Sequence, residues 1–197
     1  MPECAFLFTL GAAASLIGDH SHVATGTTEY LTDAVPFIWS SPIWFPLLVG
    51  VATASLAELR LRLRAPRTSV TARQGLAGVA AVIGIYIITA LEHAAPAVPV
   101  MVLIYALAAI TWCVLGDGPG AVCGELAADG GPIVEAVLAE AGVFRYADDS
   151  DALFGVAPWL PALYFAFGVV VAVLAEIAAK DRQLSVRSSV SGTPAPR

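Results

Sequence analysis

The chain has 197 residues, of which 58% are hydrophobic and only 13% charged, and its mean hydropathy is +0.78. A soluble domain carries about 25% charged residues, so this chain lacks the polar surface to coat a globule and reads as a membrane protein. A water-soluble enzyme and a chain disordered throughout are excluded. The net charge of −6 excludes a nucleic-acid binder, which requires a basic face.

A spanning helix takes about 20 apolar residues. In chain order the expected spans are 4–18, 43–59, 75–91, 99–115, 120–142 and 159–179. The first ends at the polar run Asp19-His20-Ser21-His22. Its acidic leader Met1-Pro2-Glu3 is unlike the basic start of a signal peptide. Trp44-x-Pro46 and Trp159-x-Pro161 open the second and sixth spans. Proline suits a helix's first turn, where its missing N–H has no partner to lose. Gly11/Ser15 and Gly50/Ala54 are small-x-x-x-small pairs that let helices approach closely, inside the bundle or between copies.

The stretch 120–142 carries Glu125, Asp129, Glu135 and Glu140 around Gly130-Gly131-Pro132, and hydropathy alone reads it as a loop. Charge bias reads it as a span. Nine of the ten basic residues lie between spans two and three (Arg60, Arg62, Arg64, Arg67, Arg73) or in the tail (Lys180, Arg182, Arg187, Arg197). The positive-inside rule places both groups in the cytoplasm, and the chain returns to the tail only if the acidic stretch also crosses. The expectation is therefore an all-α polytopic membrane protein. It is a six-helix transmembrane bundle over residues 1–180 with both termini cytoplasmic, and residues 181–197 form a flexible tail. One lysine against nine arginines, with abundant alanine, suggests a GC-rich bacterial genome and hence the bacterial inner membrane.

An ionisable residue inside a bilayer is a functional candidate. At 100° per residue, Asp129 and Glu140 lie about 40° and 60° round from Glu125, and Glu135 about 80° to the other side. The stripe could relay protons in a small coupled transporter. Equally, it could be structural, with Gly130-Gly131-Pro132 breaking the helix. His20-x-His22 with Asp19 and His93 offers too few ligands for a zinc site, and a polar turn is the plainer reading. Neither an H-E-x-x-H, a G-x-S-x-G nor a Gly-rich phosphate loop is present, so no catalysis, metal or cofactor is implied. Cys4, Cys113 and Cys123 contain no C-x-x-C pair.

Four stretches resemble the Insig (insulin-induced gene) family of membrane proteins. Ser40-Ser41-Pro42-Ile43-Trp44-Phe45-Pro46 with Gly50 resembles the family's second-helix start. His93-Ala94 resembles the His-Ala after its third helix. Leu107-Ala108-Ala109-Ile110, Trp112 and Asp117 resemble the fourth helix and its end. Gly142-Val143-Phe144-Arg145-Tyr146, Asp151, Leu153 and Trp159-Leu160-Pro161 resemble the run into the sixth. The resemblance implies six helices around a lipophilic pocket and non-enzymatic regulation of partner membrane proteins. The family's partner-binding aspartate falls on Asp117, here followed by Gly118-Pro119-Gly120 in place of a basic run. Its pocket glutamine falls near Val102, with Tyr105 one turn on, so the implied lipid-binding set is Tyr86, Val102, Tyr105 and Phe165. The ligand expected is a diacylglycerol-like or sterol-like membrane lipid, sensed by a bundle that also forms a homo-oligomer. The alternatives are the proton-coupled carrier and a scaffolding subunit without ligand.

Overall fold

The computed structural model describes residues 2–191. Six helices account for most of it: α1 Pro2–Thr25, α2 Trp44–Leu63, α3 Ala72–Leu91, α4 Ala97–Leu115, α5 Gly118–Glu140 and α6 Leu160–Ser191. By length and composition, α2, α3, α4 and α6 are long and apolar enough to cross a membrane. The Trp-x-Pro pairs open helices as expected, with Pro46 and Pro161 in the first turns of α2 and α6.

α6 is the hub of the bundle. Its apolar stretch is 61% buried, against 28–33% for α2, α3 and α4. Val169, Val170, Val171, Ala172, Val173 and Ala175 are buried in succession, the mark of a helix enclosed all round. α5 packs most closely against it. A Cβ built on Gly168 would lie 2.4 Å from the Cys123 carbonyl oxygen, so only glycine admits that approach. The small residues of α1 and α2 work inside the bundle. A Cβ on Gly11 would strike Thr53, and one on Gly50 would meet the Phe8 ring.

Three elements depart from the sequence reading. α1 runs about two turns past the expected end, so Asp19, His20 and His22 are helical rather than in a turn. α5 is unbroken across Gly130-Gly131-Pro132. Packing on α6 outweighs the single hydrogen bond lost at Pro132. The tail expected from residue 181 continues as helix to Ser191, since neither glycine nor proline precedes Gly192. Residues 192–197 of that tail lie outside the described residues.

At one end of the bundle, Glu3 of α1 pairs with Arg182 of α6 at 2.9 Å. This end carries the start of α1 and the later part of α6. The opposite end is closed by β1 (Thr28–Tyr30) pairing antiparallel with β4 (Phe144–Tyr146), which ties the exit of α1 to the α5–α6 connection. A two-residue hairpin, β2 (Phe37–Ile38) with β3 (Ser41–Pro42), leads into α2.

Candidate functional site

A cavity of about 230 Å³ lies between α2, α5 and α6. Its wall is apolar: Phe45, Leu48, Val49, Ala52 and Leu56 from α2, Val134 and Leu138 from α5, and Phe167 from α6. Leu48 and Val134 line it yet are each 41% exposed, so the cavity opens sideways between α2 and α5. A second void of about 60 Å³ shares Phe45, Val49, Tyr86, Glu135, Tyr164 and Phe167 with it.

All the polar groups gather near the strand end. Glu135 of α5 accepts from the Tyr146 and Tyr164 hydroxyls, each at 2.6 Å. Asp19 of α1 accepts from Tyr30 at 3.0 Å and from Ser41 at 2.5 Å. Burial, then the neighbouring Asp19 carboxyl, pushes the Tyr30 phenol well above its ordinary range. Burial, then Glu135, does the same to Tyr146. Both phenols therefore remain hydrogen-bond donors. His22 Nε2 lies 2.9 Å from the Thr89 hydroxyl, which itself donates to the Tyr86 carbonyl. Thr89 thus accepts, and His22 carries its proton on Nε2. The Tyr86 ring stands edge-on to His22 at 4.6 Å and lines the cavity. Its hydroxyl has no hydrogen-bond partner within the described residues.

Of the four lipid-binding residues expected from sequence, Tyr86 lies in this cavity. Val102 is 65% exposed on the outer face of α4 and lines neither void. Tyr105 is 46% exposed and shares with Phe165 a separate groove on the far side of α5. α4 packs on α6 and α3 through Val100, Ile104 and Ala108, one helical stripe, which turns positions 102 and 105 outward. Among the α5 acids, Glu135 faces the cavity, and Glu125 and Asp129 face the outer groove. The expected lipid-binding set lacks Asp19, Tyr146 and Tyr164, all of which line this cavity. His20 and His22 do not converge: His20 stacks on Trp39 at 3.8 Å and bonds Ser40, whereas His22 turns inward.

At the terminal end, Asp117 caps α5 by accepting from the Gly120 amide at 2.8 Å. It also pairs with Arg60 at 3.2 Å and Arg67 at 3.6 Å. Both arginines bind the buried Glu176 of α6, Arg67 at 2.6 Å. Hydrogen bonding to Glu176 raises the Arg67 pKa further, so its charge is permanent. Two of the five arginines expected between spans two and three thus turn inward instead of facing headgroups.

No protein-family model matches the chain. A curated relative, the INSIG protein homolog of Mycolicibacterium vanbaalenii, is 68% identical over 180 residues, covering 91% of this chain and 88% of the relative. The chain belongs to the INSIG family. The crystal structure of the mycobacterial Insig homolog MvINS from Mycobacterium vanbaalenii superposes with a TM-score of 0.91 at 68% identity, covering 92% of this chain and 96% of that one. A cross-linked trimer of an arginine-to-cysteine MvINS variant gives the same TM-score at 66% identity and the same coverage. The Insig resemblance carried by four short stretches thus extends over nine-tenths of the chain, and with it the helical membrane fold.

Proposed function

We propose that this Insig protein is a non-enzymatic lipid sensor of the bacterial inner membrane. It crosses six times with both termini in the cytoplasm, and it admits a neutral lipid between α2 and α5. The observation that carries this reading is the cavity's polarity. Its walls are hydrocarbon, its mouth faces sideways, and its polar end presents two carboxyl groups already holding four hydroxyl donors. A ligand taken from a bilayer is apolar over most of its surface and needs a few placed polar contacts. A phosphate head would face Asp19 and Glu135 with no cation in the lining to balance it. A hydroxyl head meets Tyr86 and the rim of the tyrosine–carboxyl cluster without a charge penalty. We therefore assign a diacylglycerol-like lipid.

Lipid seated between α2, α5 and α6 would favour one packing of those helices over another. Because Asp117 caps α5 and ties it to Arg60 and Arg67, a shift of α5 is felt at the end facing the cytoplasm, where partner membrane proteins would read it. A carrier reading rested on Glu125, Asp129 and Glu140, none of which lines the cavity. The trimer cross-linked for MvINS supports self-association of this chain as well.

The test is photolabelling in proteoliposomes with a diazirine-bearing diacylglycerol. Saturable labelling of α2, α5 or α6 peptides, competed by unlabelled diacylglycerol and not by phosphatidic acid, is expected. Equal competition by phosphatidic acid would overturn the neutral-head assignment. Tight binding of a 25-hydroxylated sterol with exclusion of glycerolipids would replace the ligand class.

A further inference from the structure

Thr28 carries a buried hydroxyl that the fold does not use. The residue is 7% exposed, and its Oγ1 has no hydrogen-bond partner among the described residues. Buried polar groups are almost always satisfied, and one left alone costs free energy. Its position gives that cost a reason. Thr28 and Tyr30, both on β1, line the lipid cavity and also a cleft of about 720 Å³ at the strand end of the bundle. Two residues of one strand are therefore the shared wall between a hydrocarbon-lined void and an outer one. In the topology proposed above, that outer void faces away from the cytoplasm, at the level of the lipid heads.

The cleft differs from the cavity in chemistry. Glu29, Thr32, Asp33 and Ser40 line it with oxygen atoms. Phe37 adds an aromatic ring that is 41% exposed and stands edge-on to Tyr30 at 5.7 Å. Arg145 holds Glu29 at 2.8 Å and His20 holds Ser40 at 2.7 Å, whereas the exposed Asp33 is unpaired among the described residues. No lysine, arginine or histidine lines the cleft. Its volume falls within the range of about 300–1,000 Å³ that small-molecule sites occupy. A phosphate head would meet carboxylates there without a cation. An ammonium head has donors only, and so no lone pair for the Thr28 proton. A sugar supplies both: hydroxyls that donate to Asp33 and Thr32, and oxygens that accept from Thr28. Its C–H face suits the Phe37 ring. We propose that the cleft binds the neutral sugar head of a glycolipid whose diacylglycerol part lies in the α2–α5–α6 cavity, the glycosidic oxygen accepting from Thr28 Oγ1. The inference rests on the neutral-lipid reading above and names the head group that reading leaves open.

The experiment is competition against the diazirine-bearing diacylglycerol in proteoliposomes. Monoglucosyl-diacylglycerol should compete about tenfold better than unlabelled diacylglycerol, the worth of one or two net hydrogen bonds. Methyl glucoside, a sugar without tails, should not compete at the same concentrations. In Thr28→Val the advantage of the glycolipid should fall to about twofold or less, with no drop in thermal midpoint, because the hydroxyl gives up no hydrogen bond in the fold. Asp33→Ala, at an exposed position, should also reduce the advantage. Equal competition by the two lipids in the parent chain, or an advantage that survives both substitutions, would overturn the sugar site and leave the neutral-lipid reading standing. A lower midpoint in Thr28→Val would show that its hydroxyl is used by the fold and remove it from the site. Methyl glucoside competing as well as the glycolipid would assign the cleft to a free sugar and sink the glycolipid. Cavity peptides left unlabelled in the absence of any competitor would contradict both the inference and the reading it rests on.

Discussion

Arg60 and Glu176 form an ion pair in which neither side chain has any exposed surface. Arg60 stands at the end of α2 and Glu176 on the central helix, and Arg67 closes over the same carboxylate from the α2–α3 loop. Four charges, two of each sign with Asp117, neutralise one another where α2, α4, α5 and α6 converge. The Arg60 Nε has no acceptor, so the cluster is not fully satisfied. Its value is positional: it fixes the loop and the start of α5 against the hub.

Removing one member of a buried pair strands the other charge, at a cost of about 3–5 kcal/mol. Glu176→Ala should lower stability by that order, read as the thermal midpoint in detergent. Arg60→Met combined with Glu176→Leu should lose clearly less than Glu176→Ala alone, because no unpaired charge is left buried between α2 and α6. Equal losses in the two would show that the pair is not the source of the effect.

Asp117 has two roles that separate by substitution. Asn retains a side-chain oxygen for the Gly120 amide and gives up the charge facing Arg60 and Arg67. Ala gives up both. Loss of a helix cap costs about 0.5–2 kcal/mol, so Asp117→Ala should fall below Asp117→Asn by that amount in equilibrium unfolding. Indistinguishable midpoints would remove the cap from the account.

How much of this was legible in the sequence depends on the range of the interaction that sets each feature. Local signals read true. The Trp-x-Pro pairs open α2 and α6, Gly11 and Gly50 mark the α1–α2 contact, and four separated stretches identify the family. Features set by a remote partner did not show. Asp19 and His22 read as a turn because their stabilising partners, Ser41, Tyr30 and Thr89, lie far along the chain. Glu135 was separated from the acidic stripe by its angle on the helix, but its two tyrosines come from β4 and α6. Val102 and Tyr105 follow the family's positions, and the face that α4 buries turns both away from the α2–α5–α6 cavity. Nothing in a run of five arginines announces that Arg60 and Arg67 turn inward.

Alkaline pH should unfold the protein through its buried phenols. Burial holds Tyr30 and Tyr146 above the ordinary phenol value near 10. A pKa raised on folding stabilises fully below pH about 10, and that contribution is lost as pH rises beyond it, because the unfolded chain ionises first. Each such phenol contributes a slope of about 1.4 kcal/mol per pH unit. Tyr146→Phe should flatten the fall in thermal midpoint between pH 10 and 11.5, and an unchanged slope would contradict the burial.

Gly131 lines the cavity, and a Cβ there would lie 2.5 Å from the Tyr164 ring. Gly131→Ala should displace Tyr164, break its bond to Glu135 and weaken capture of the photoactivatable diacylglycerol about tenfold or more. Val102→Ala, outside the cavity, should leave capture unchanged. Equal labelling of the two variants would move the site elsewhere.

The central claim is that the α2–α5–α6 cavity holds one neutral lipid, and native mass spectrometry of the detergent-purified chain tests it most directly. The account predicts one glycerolipid without a phosphate head per protomer, resistant to detergent exchange and lost in Gly131→Ala. A mixture matching the bulk membrane, or an anionic phospholipid retained equally in both proteins, would contradict it.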